Sequence, residues 1–375
     1  MSYRHLNRIE IDLGALRRNL EVLKGSLASP GCGIMAVVKS DAYGHGLLEV
    51  AKTLEKAGVW GFGISEVEEA AALRNAGISR PIVLLSGLYP GAEKEVFDLD
   101  LIPGVTEPGI MDALERWGKK INRTRPIHLK ADTGMGRLGL SAEGLLAVAE
   151  KRGTWPHLDF AGLYSHLSSA DDPADPLNRV QIEAFRLLLR EARVRGWTPK
   201  TVHVANSAGV VHFPSAHFNL VRPGLALYGA YPGPESQKRI SLQPVMRFRS
   251  RVIAAREVKA GSPIGYGHSF VTERTTRVAV VPVGYDDGYL RSLSNSAYVL
   301  IRSTRCPVIG RVCMKALMVD ISALEGAGAG EEVVLLGTQG EESISVEELA
   351  RWGDTISYEL LCLLGSRNRR AFREG

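Results

Sequence analysis

The stretch Ile34-Met35-Ala36-Val37-Val38-Lys39-Ser40-Asp41-Ala42-Tyr43-Gly44-His45-Gly46 decides the fold. Its five leading apolar residues, two of them valines, read as a buried strand. Lys39 ends that strand, and a turn-forming Ser-Asp, a tyrosine and two glycines open a helical pattern. A lysine at the carboxyl end of a buried strand loses solvation, which lowers its pKa. A neutral amine is what a carbonyl-seeking nucleophile must be. Taken alone, Lys39 reads more readily as a strand-end lysine that snorkels to the surface. Its neighbours along the chain decide between the two.

Upstream, 12–27 reads as a helix capped by Asp12, with Leu13, Leu16, Leu20, Leu23 and Leu27 on one face. Downstream, strand patterns at 34–38, 59–64, 82–86, 101–105, 127–131, 159–164, 201–205 and 218–221 alternate with helical ones. The helix at 65–76 is capped by Ser65 in this reading. Strands alternating with helices over about 230 residues predict a (β/α)8 barrel of the TIM type. The pattern changes at Pro232-Gly233-Pro234. Beyond it, 245–258, 278–283, 298–302, 307–312, 316–321 and 332–336 are β-rich and punctuated by Gly and Pro. Ser345 opens a capping box, and a last helix at 356–364 ends at Gly365. The expected division is a barrel over 12–235 and a mostly β-strand domain made of 1–11 and 236–375.

The 375 residues are 45% hydrophobic and 23% charged, enough for a large core, with a formal net charge of +5. The dense basic run, Arg367-Asn368-Arg369-Arg370, reads as a solvated tail, and nucleic-acid binding is not expected. Cys32, Cys306, Cys313 and Cys362 form no CxxC pair and read as free thiols of a reducing compartment. The first 12 residues lack the apolar core of a signal peptide. No apolar run is long enough to span a membrane, and the expected location is cytoplasmic. No metal site is expected.

In a barrel of this type the active site lies at the carboxyl ends of the strands. The unusual polar residues fall there. They are Lys39, Lys130-Ala131-Asp132-Thr133-Gly134-Met135-Gly136-Arg137, Tyr164-Ser165-His166, Asn206-Ser207 and Arg222-Pro223-Gly224. Each has a structural alternative: a turn at Asp132, a satisfied buried His166, a helix cap at Ser207, an ion pair for Arg222. Together they describe a pocket for an anionic, carbonyl-bearing ligand.

With these motifs the chain resembles the alanine racemases from about residue 9 to 370. The resemblance rests on Lys39 with Asp41–Gly46, on 130–139, and on Val221-Arg222-Pro223-Gly224 with Leu227-Tyr228-Gly229. It continues through Gly265-Tyr266-Gly267, Val283-Gly284-Tyr285, Gly310-Arg311-Val312-Cys313-Met314 and Ile356-Ser357-Tyr358-Glu359. It implies pyridoxal 5'-phosphate as cofactor, alanine as substrate and a head-to-tail homodimer with shared active sites. It further implies D-alanine supply for peptidoglycan. Lys39 would be the Schiff-base lysine and one catalytic base, and Tyr266 of the other subunit the opposing base. A phenol, with a reference pKa of about 10, needs help to act near neutrality. The resemblance gives that role to His166, backed by Arg222, which also faces the pyridine nitrogen. Arg137 would contact cofactor and substrate carboxylate, and Lys130 matches a lysine carbamylated in some relatives. Tyr43, Asn206, Ser207, Gly224 and Tyr358 match cofactor contacts, the backbone of Met314 a substrate contact, and Asp171, Tyr285, Arg291 and Arg311 the entryway.

The chain departs from the family where Lys315 follows Cys-Met, a place the family gives to Asp. Lys315 is expected either to act on the substrate carboxylate and on Lys39 or to pair with Asp320 or another carboxylate. Other chemistries on the same barrel are a decarboxylase, a D-amino-acid lyase, a serine or broad-specificity racemase, and a non-catalytic cofactor-binding protein. The Gly265-Tyr266-Gly267 segment argues against a lyase, which needs no second base, and the long second domain argues against the carrier.

Overall fold

The structure, a computed structural model, describes residues 6–374. Residues 1–5 and 375, which the sequence reading gives to the second domain, lie outside the described residues. The strands are β1 (Arg8–Asp12), β2 (Gly33–Val37), β3 (Gly61–Ile64), β4 (Ile82–Leu84), β5 (Leu101–Val105), β6 (Arg125–Lys130), β7 (Leu158–Tyr164), β8 (Thr201–His203) and β9 (Leu220–Val221). They continue as β10 (Met246–Arg251), β11 (Ala254–Val258), β12 (Thr276–Val281), β13 (Tyr298–Ile301), β14 (Thr304–Pro307), β15 (Leu317–Asp320), β16 (Glu332–Gln339), β17 (Glu342–Ile344) and β18 (Arg370–Arg373).

Strands β2 to β9 pair in parallel in the order β8-β7-β6-β5-β4-β3-β2-β9, with helices between them, as the alternating pattern predicts. Two hydrogen bonds draw the remaining seam together. The Arg222 N–H donates to the Ala205 carbonyl (2.9 Å), and the Val202 N–H donates to Asn219 Oδ1 (2.7 Å). The leucine stripe of the first helix, Leu13–Gly25, is buried, and Asp12 accepts from the Ala15 N–H (2.7 Å) as its cap. Inside the barrel two glycines make room for larger neighbours. A Cβ on Gly104 would overlap the Tyr164 hydroxyl, and one on Gly162 would overlap the His128 ring.

The second half carries a seven-stranded sheet, β14-β13-β16-β10-β1-β18 with β17 on β16, and a three-stranded sheet, β11-β12-β15. β1 lies antiparallel to β10 and parallel to β18. The amino-terminal strand therefore belongs to the sheet of the carboxyl-terminal half.

Four local expectations need correction. The Arg367–Arg370 run is no solvated tail. Arg370 begins β18 and its guanidinium reaches the Asp41 carboxylate and the Gly44 carbonyl, while Arg373 reaches the buried Glu10. The charges hide a short strand because their partners lie more than 300 residues away in sequence (329 for Asp41). The last helix, Ser357–Arg367, runs through Gly365 rather than ending there. At Gly365 the helix meets the Gly44 carbonyl, and a Cβ would overlap it. Helix Val67–Asn75 is capped by Glu66, not Ser65, and Glu69 reaches back to the N–H groups of both Ser65 (3.0 Å) and Glu66 (3.2 Å). Finally, the 307–312 strand is displaced to Thr304–Pro307. Arg302 and Ser303 both take positive φ (50° and 59°) and turn the chain tightly from β13 into β14. Neither residue type advertises such a turn.

The contact at Gly365 yields a stability prediction. Gly365→Ala should lower stability by about 1–3 kcal/mol through overpacking. Gly25→Ala, where a Cβ meets nothing within 4 Å, should stay within about 0.5 kcal/mol. Chemical denaturation of both variants checks this; equal stabilities would show that helix and turn separate freely.

Candidate active site

The chain turns sharply after β2. Ser40, Asp41, Ala42 and Tyr43 all sit at φ near +55° (55°, 54°, 54°, 54°), a left-handed helical turn of four non-glycine residues. Each residue in that conformation costs roughly 1–2 kcal/mol. Several hydrogen bonds offset this. The Ala42 N–H donates to the Val38 carbonyl (2.8 Å), Gly44 to Ser40 (3.0 Å) and Gly46 to Asp41 (2.9 Å). Glu69 accepts from the Ser40 N–H (2.5 Å), and Asp41 accepts from the Leu47 N–H (2.7 Å) at the start of the next helix. The turn brings Lys39 and Tyr43 to the mouth of the barrel within four residues of each other.

Lys39 is half-buried. Burial first, then the Arg137 cation, holds its amine below the usual lysine range, with Glu69 opposing. Lys130, at the end of β6, is buried, and its Nζ lies 5.6 Å from the Tyr164 ring centroid. Burial, then Arg137 and Arg222, lower its pKa to about 8. Lys130 Nζ has no hydrogen-bond partner among the described residues. Asp132 does not reach it, because that carboxylate accepts from the N–H groups of Gly134, Met135 and Gly136 (2.9–3.2 Å). Asp132 thus serves the turn, as its structural alternative proposed. Arg137 stands exposed on that turn.

Arg222 is buried (4% exposed), and no carboxylate pairs with it among the described residues. Its Nη1 donates to His203 Nδ1 (2.8 Å), and its Nη2 to the carbonyls of Ser165 (2.7 Å) and Val204 (3.0 Å) and to His166 Nδ1 (3.2 Å). A guanidinium only donates, so both imidazoles accept at Nδ1 and carry their proton on Nε2. For His203 that proton points to His128 Nδ1 (2.9 Å). His128 Nε2 in turn donates to Thr201 Oγ1 (2.9 Å), which donates to the Ala161 carbonyl (3.2 Å). The polarity of this chain is consistent from end to end. Burial, then Arg222, holds His203 well below the usual range and His128 down at about 3, so both are neutral. His166 is likewise held low by burial, then Arg222, Arg137 and both lysines. Arg222 itself drops to about 10 through burial and stays protonated near neutrality.

A cluster of hydroxyls and backbone N–H groups lies beside this network. Ser207 Oγ accepts from the N–H groups of Gly224 (2.9 Å) and Ala226 (3.2 Å), which leaves its own hydrogen to donate outward. Asn206 caps the helix that follows, accepting from the Gly209 N–H (2.9 Å). A Cβ on Gly224 would overlap the Tyr43 hydroxyl. Tyr43 packs between Tyr228 and Tyr358, with ring centroids at 5.0 and 5.9 Å. Hydroxyls, a helix start and backbone N–H groups suit a phosphate dianion, and a half-buried lysine and a guanidinium stand next to it. The set fits pyridoxal phosphate. Among the described residues no group of three or more His, Cys, Asp or Glu is placed to hold a metal ion.

Other sequence candidates lie on the second half. Tyr266 sits between two positive-φ glycines (69° and 67°), is 72% exposed, and makes no hydrogen bond to His166 or Lys39 within the chain. Arg311 packs on Gly267, and with Arg291 it lines an open cleft of about 480 Å³ beside Ser269, Ser294 and Asn295. Met314 and Tyr285 are exposed. Asp171 lies near enough to Tyr358 to raise its phenol, after burial, to about 12. Lys315 does not pair with Asp320. Its Nζ lies 2.7 Å from Asp286 and 2.8 Å from Asp287, and it is not among the charges acting on Lys39. Sequence reasoning missed His203, His128 and Glu69. For His128 a signal existed: two residues before Lys130 on one strand, it shares the inward face.

The family model described as alanine racemase, N-terminal domain, matches residues 11–232, and the one described as alanine racemase, C-terminal domain, matches 245–372. An alanine racemase of Syntrophobacter fumaroxidans is 42% identical over 367 residues, 98% of this chain and 97% of that protein. The alanine racemase from D-cycloserine-producing Streptomyces lavendulae superimposes with a TM-score of 0.93 at 35% identity, covering 100% of this chain and 98% of that one. The Bartonella henselae alanine racemase, solved with covalently bound pyridoxal phosphate, superimposes with a TM-score of 0.89 at 30% identity, covering 98% and 100%. From the barrel, the β domain, the fitted cofactor site and these likenesses, the chain belongs to the alanine racemase family, isomerases that depend on pyridoxal phosphate.

Proposed function

We propose that the protein interconverts L- and D-alanine with two bases on opposite sides of the reacting carbon. The reading places the reaction in the cytoplasm, where it supplies D-alanine for peptidoglycan. The observation that carries it is an asymmetry. A desolvated lysine lies among Arg137, Lys130, His166 and Arg222, while Tyr266 stands exposed without a side-chain hydrogen-bond partner among the described residues. A second copy would supply that partner. Exposed Tyr266, Met314 and Tyr285 form the apolar surface to be covered, with the barrel of 12–235 receiving them.

Pyridoxal phosphate, when bound, supplies an electron-withdrawing ring that acidifies the α-proton of the amino acid. Lys39 Nζ takes that proton from one side, and the Tyr266 hydroxyl of the other subunit returns one from the far side; the reverse reaction exchanges the roles. Neutral His166, with its proton on Nε2, donates to the Tyr266 oxygen and favours the phenolate, and the Arg222 charge behind it adds to this. Arg222 keeps its proton, so it would hold the pyridine nitrogen of the cofactor as a donor and leave it unprotonated, which would restrain side reactions that need a stronger electron sink. Ser207, Gly224, Tyr43, Asn206 and Tyr358 hold the cofactor. Arg137 and the Met314 N–H receive the substrate carboxylate. A carbamate on Lys130, whose neutral amine is accessible with a pKa of about 8, would turn a cation beside Arg137 into an anion that holds it. Asp171, Tyr285, Arg291 and Arg311 line the entryway.

Borohydride treatment of the yellow protein should fix the cofactor to the peptide containing Lys39; label on another lysine refutes the assignment. For the shared site, Lys39→Ala and Tyr266→Ala homodimers should each lose nearly all activity, by about 10³-fold or more. Mixed heterodimers should recover it, because one of their two sites unites both bases. If both bases came from one chain, mixing would restore nothing. The third expectation concerns pH. In protein stripped of cofactor, capture of pyridoxal phosphate requires neutral Lys39. Removing the neighbouring cation with Arg137→Met favours the protonated amine, so the midpoint of capture rate against pH should rise. A midpoint that stays or falls would show that the Arg137 charge does not reach Lys39.

A further inference from the structure

Two turns lie against each other at the ends of adjacent antiparallel strands. β12 runs into the Gly284–Asp287 turn, the Cys313–Ala316 turn runs into β15, and the strands pair up to Val281 opposite Leu317. Beyond the ladder the contact continues. The Tyr285 N–H donates to the Cys313 carbonyl and the Asp286 N–H to the Met314 carbonyl, both at 3.1 Å. Gly284 permits this closeness, since a Cβ there would overlap both carbonyls. The Cys313 N–H donates to the Ala316 carbonyl (2.8 Å), closing the second turn. Within it the Met314 carbonyl is committed, while the Met314 N–H has no acceptor among the described residues and its side chain is 57% exposed.

Lys315 clamps these turns together by salt bridges to Asp286 and Asp287 (2.7 and 2.8 Å). Asp287 is the fixed end. It is buried (4% exposed), its other oxygen accepts from the Gly284 N–H (3.0 Å), and its carbonyl accepts from Asn368 (2.8 Å). Asp286 and Lys315 are on the surface. One cation against two carboxylates leaves the cluster at a formal charge of −1. Without Lys315 it would be −2, next to the free Met314 N–H.

We propose that Lys315 is a positioning residue for the substrate carboxylate: it fixes the direction of the Met314 N–H and screens the incoming carboxylate from Asp286 and Asp287. The inference rests on the reading above in which that N–H receives the carboxylate. It assigns the clamp no part in proton transfer, and the β12–β15 ladder holds the fold without it. The charge of Lys315 is spent on its own neighbours.

The test compares Lys315→Met and Lys315→Arg in the cofactor-loaded protein. Binding of propanoate, which is alanine without its amino group, is measured by calorimetry, and KM and kcat are measured in both directions. Lys315→Met should weaken propanoate and raise both KM values roughly tenfold, with kcat within about twofold, the pattern of a lost binding contact. Lys315→Arg should stay within about twofold of the natural chain. Lys315→Gln, which loses the charge but keeps one hydrogen bond, carries the same test at smaller amplitude should the methionine variant fail to load its cofactor. Unchanged propanoate affinity in the neutral variants, a fall in kcat at constant KM, or an arginine variant as impaired as the methionine one overturns the proposal. The propanoate measurement reads the clamp whether or not the natural protein racemises alanine, so the two readings fail separately.

Discussion

A buried cation without an anion governs this molecule. Arg222 sits at the end of β9, protonated, with carbonyls and neutral imidazole nitrogens as its acceptors. Desolvating a charge is expensive unless it is hydrogen-bonded, and the barrel gives Nη1 and Nη2 four acceptors, on His203, Ser165, Val204 and His166. Burial first, and then that charge, keeps His166, His203 and His128 neutral, and burial, Arg137 and Arg222 together leave Lys130 short of its usual basicity. The same charge bears on what the pocket wants. Lys39, Lys130, Arg137 and Arg222 make a site rich in positive charge, and an anionic cofactor with an anionic substrate completes it.

The second constraint is geometric. Lys39 has to leave a buried strand and Tyr43 has to return to the same pocket four residues later. The left-handed turn of Ser40 to Tyr43 makes that connection, and its strain is offset by Glu69, by the Asp41 cap and by Arg370 from β18. Rigidity in the turn after Lys39 is thus assembled from contacts with the helix that carries Glu69, with the start of the following helix and with β18.

The alternating apolar runs were readable because parallel strands covered on both faces are nearly continuous in Val, Ile and Leu, as in Ile34–Val38 and Ile82–Leu84. The Lys39, His166, Ser207 and Arg222 positions were readable because their polar side chains end such runs. What stayed hidden depends on distant partners. β18 is only Arg-Ala-Phe-Arg, and becomes a strand because β1 offers an edge. Gly365 looks like a helix stop until Gly44 is seen beneath it. Ser40 to Tyr43 give no local warning of a left-handed turn, since none is glycine. The histidine chain behind Arg222 joins β6, β8 and β9, and only closure of the barrel brings those strands together. The direction of Lys315 was open for the same reason: Asp286 and Asp287 lie nearly thirty residues before it (28 for Asp287).

The place of β1 has a consequence for how the chain reaches its native state. This strand is made before its partners, β10 and β18, and the link from Arg373 to Glu10 spans 363 residues. A contact of that sequence separation carries a large loop-closure entropy and forms late. Until it does, Arg370 cannot reach Asp41, and the lysine turn lacks one of its three supports. The barrel can condense before β18 is made, but the turn after Lys39 gains its contact with Arg370 only when β18 docks on β1. Pairing of these two strands and full support of that turn are therefore a single event.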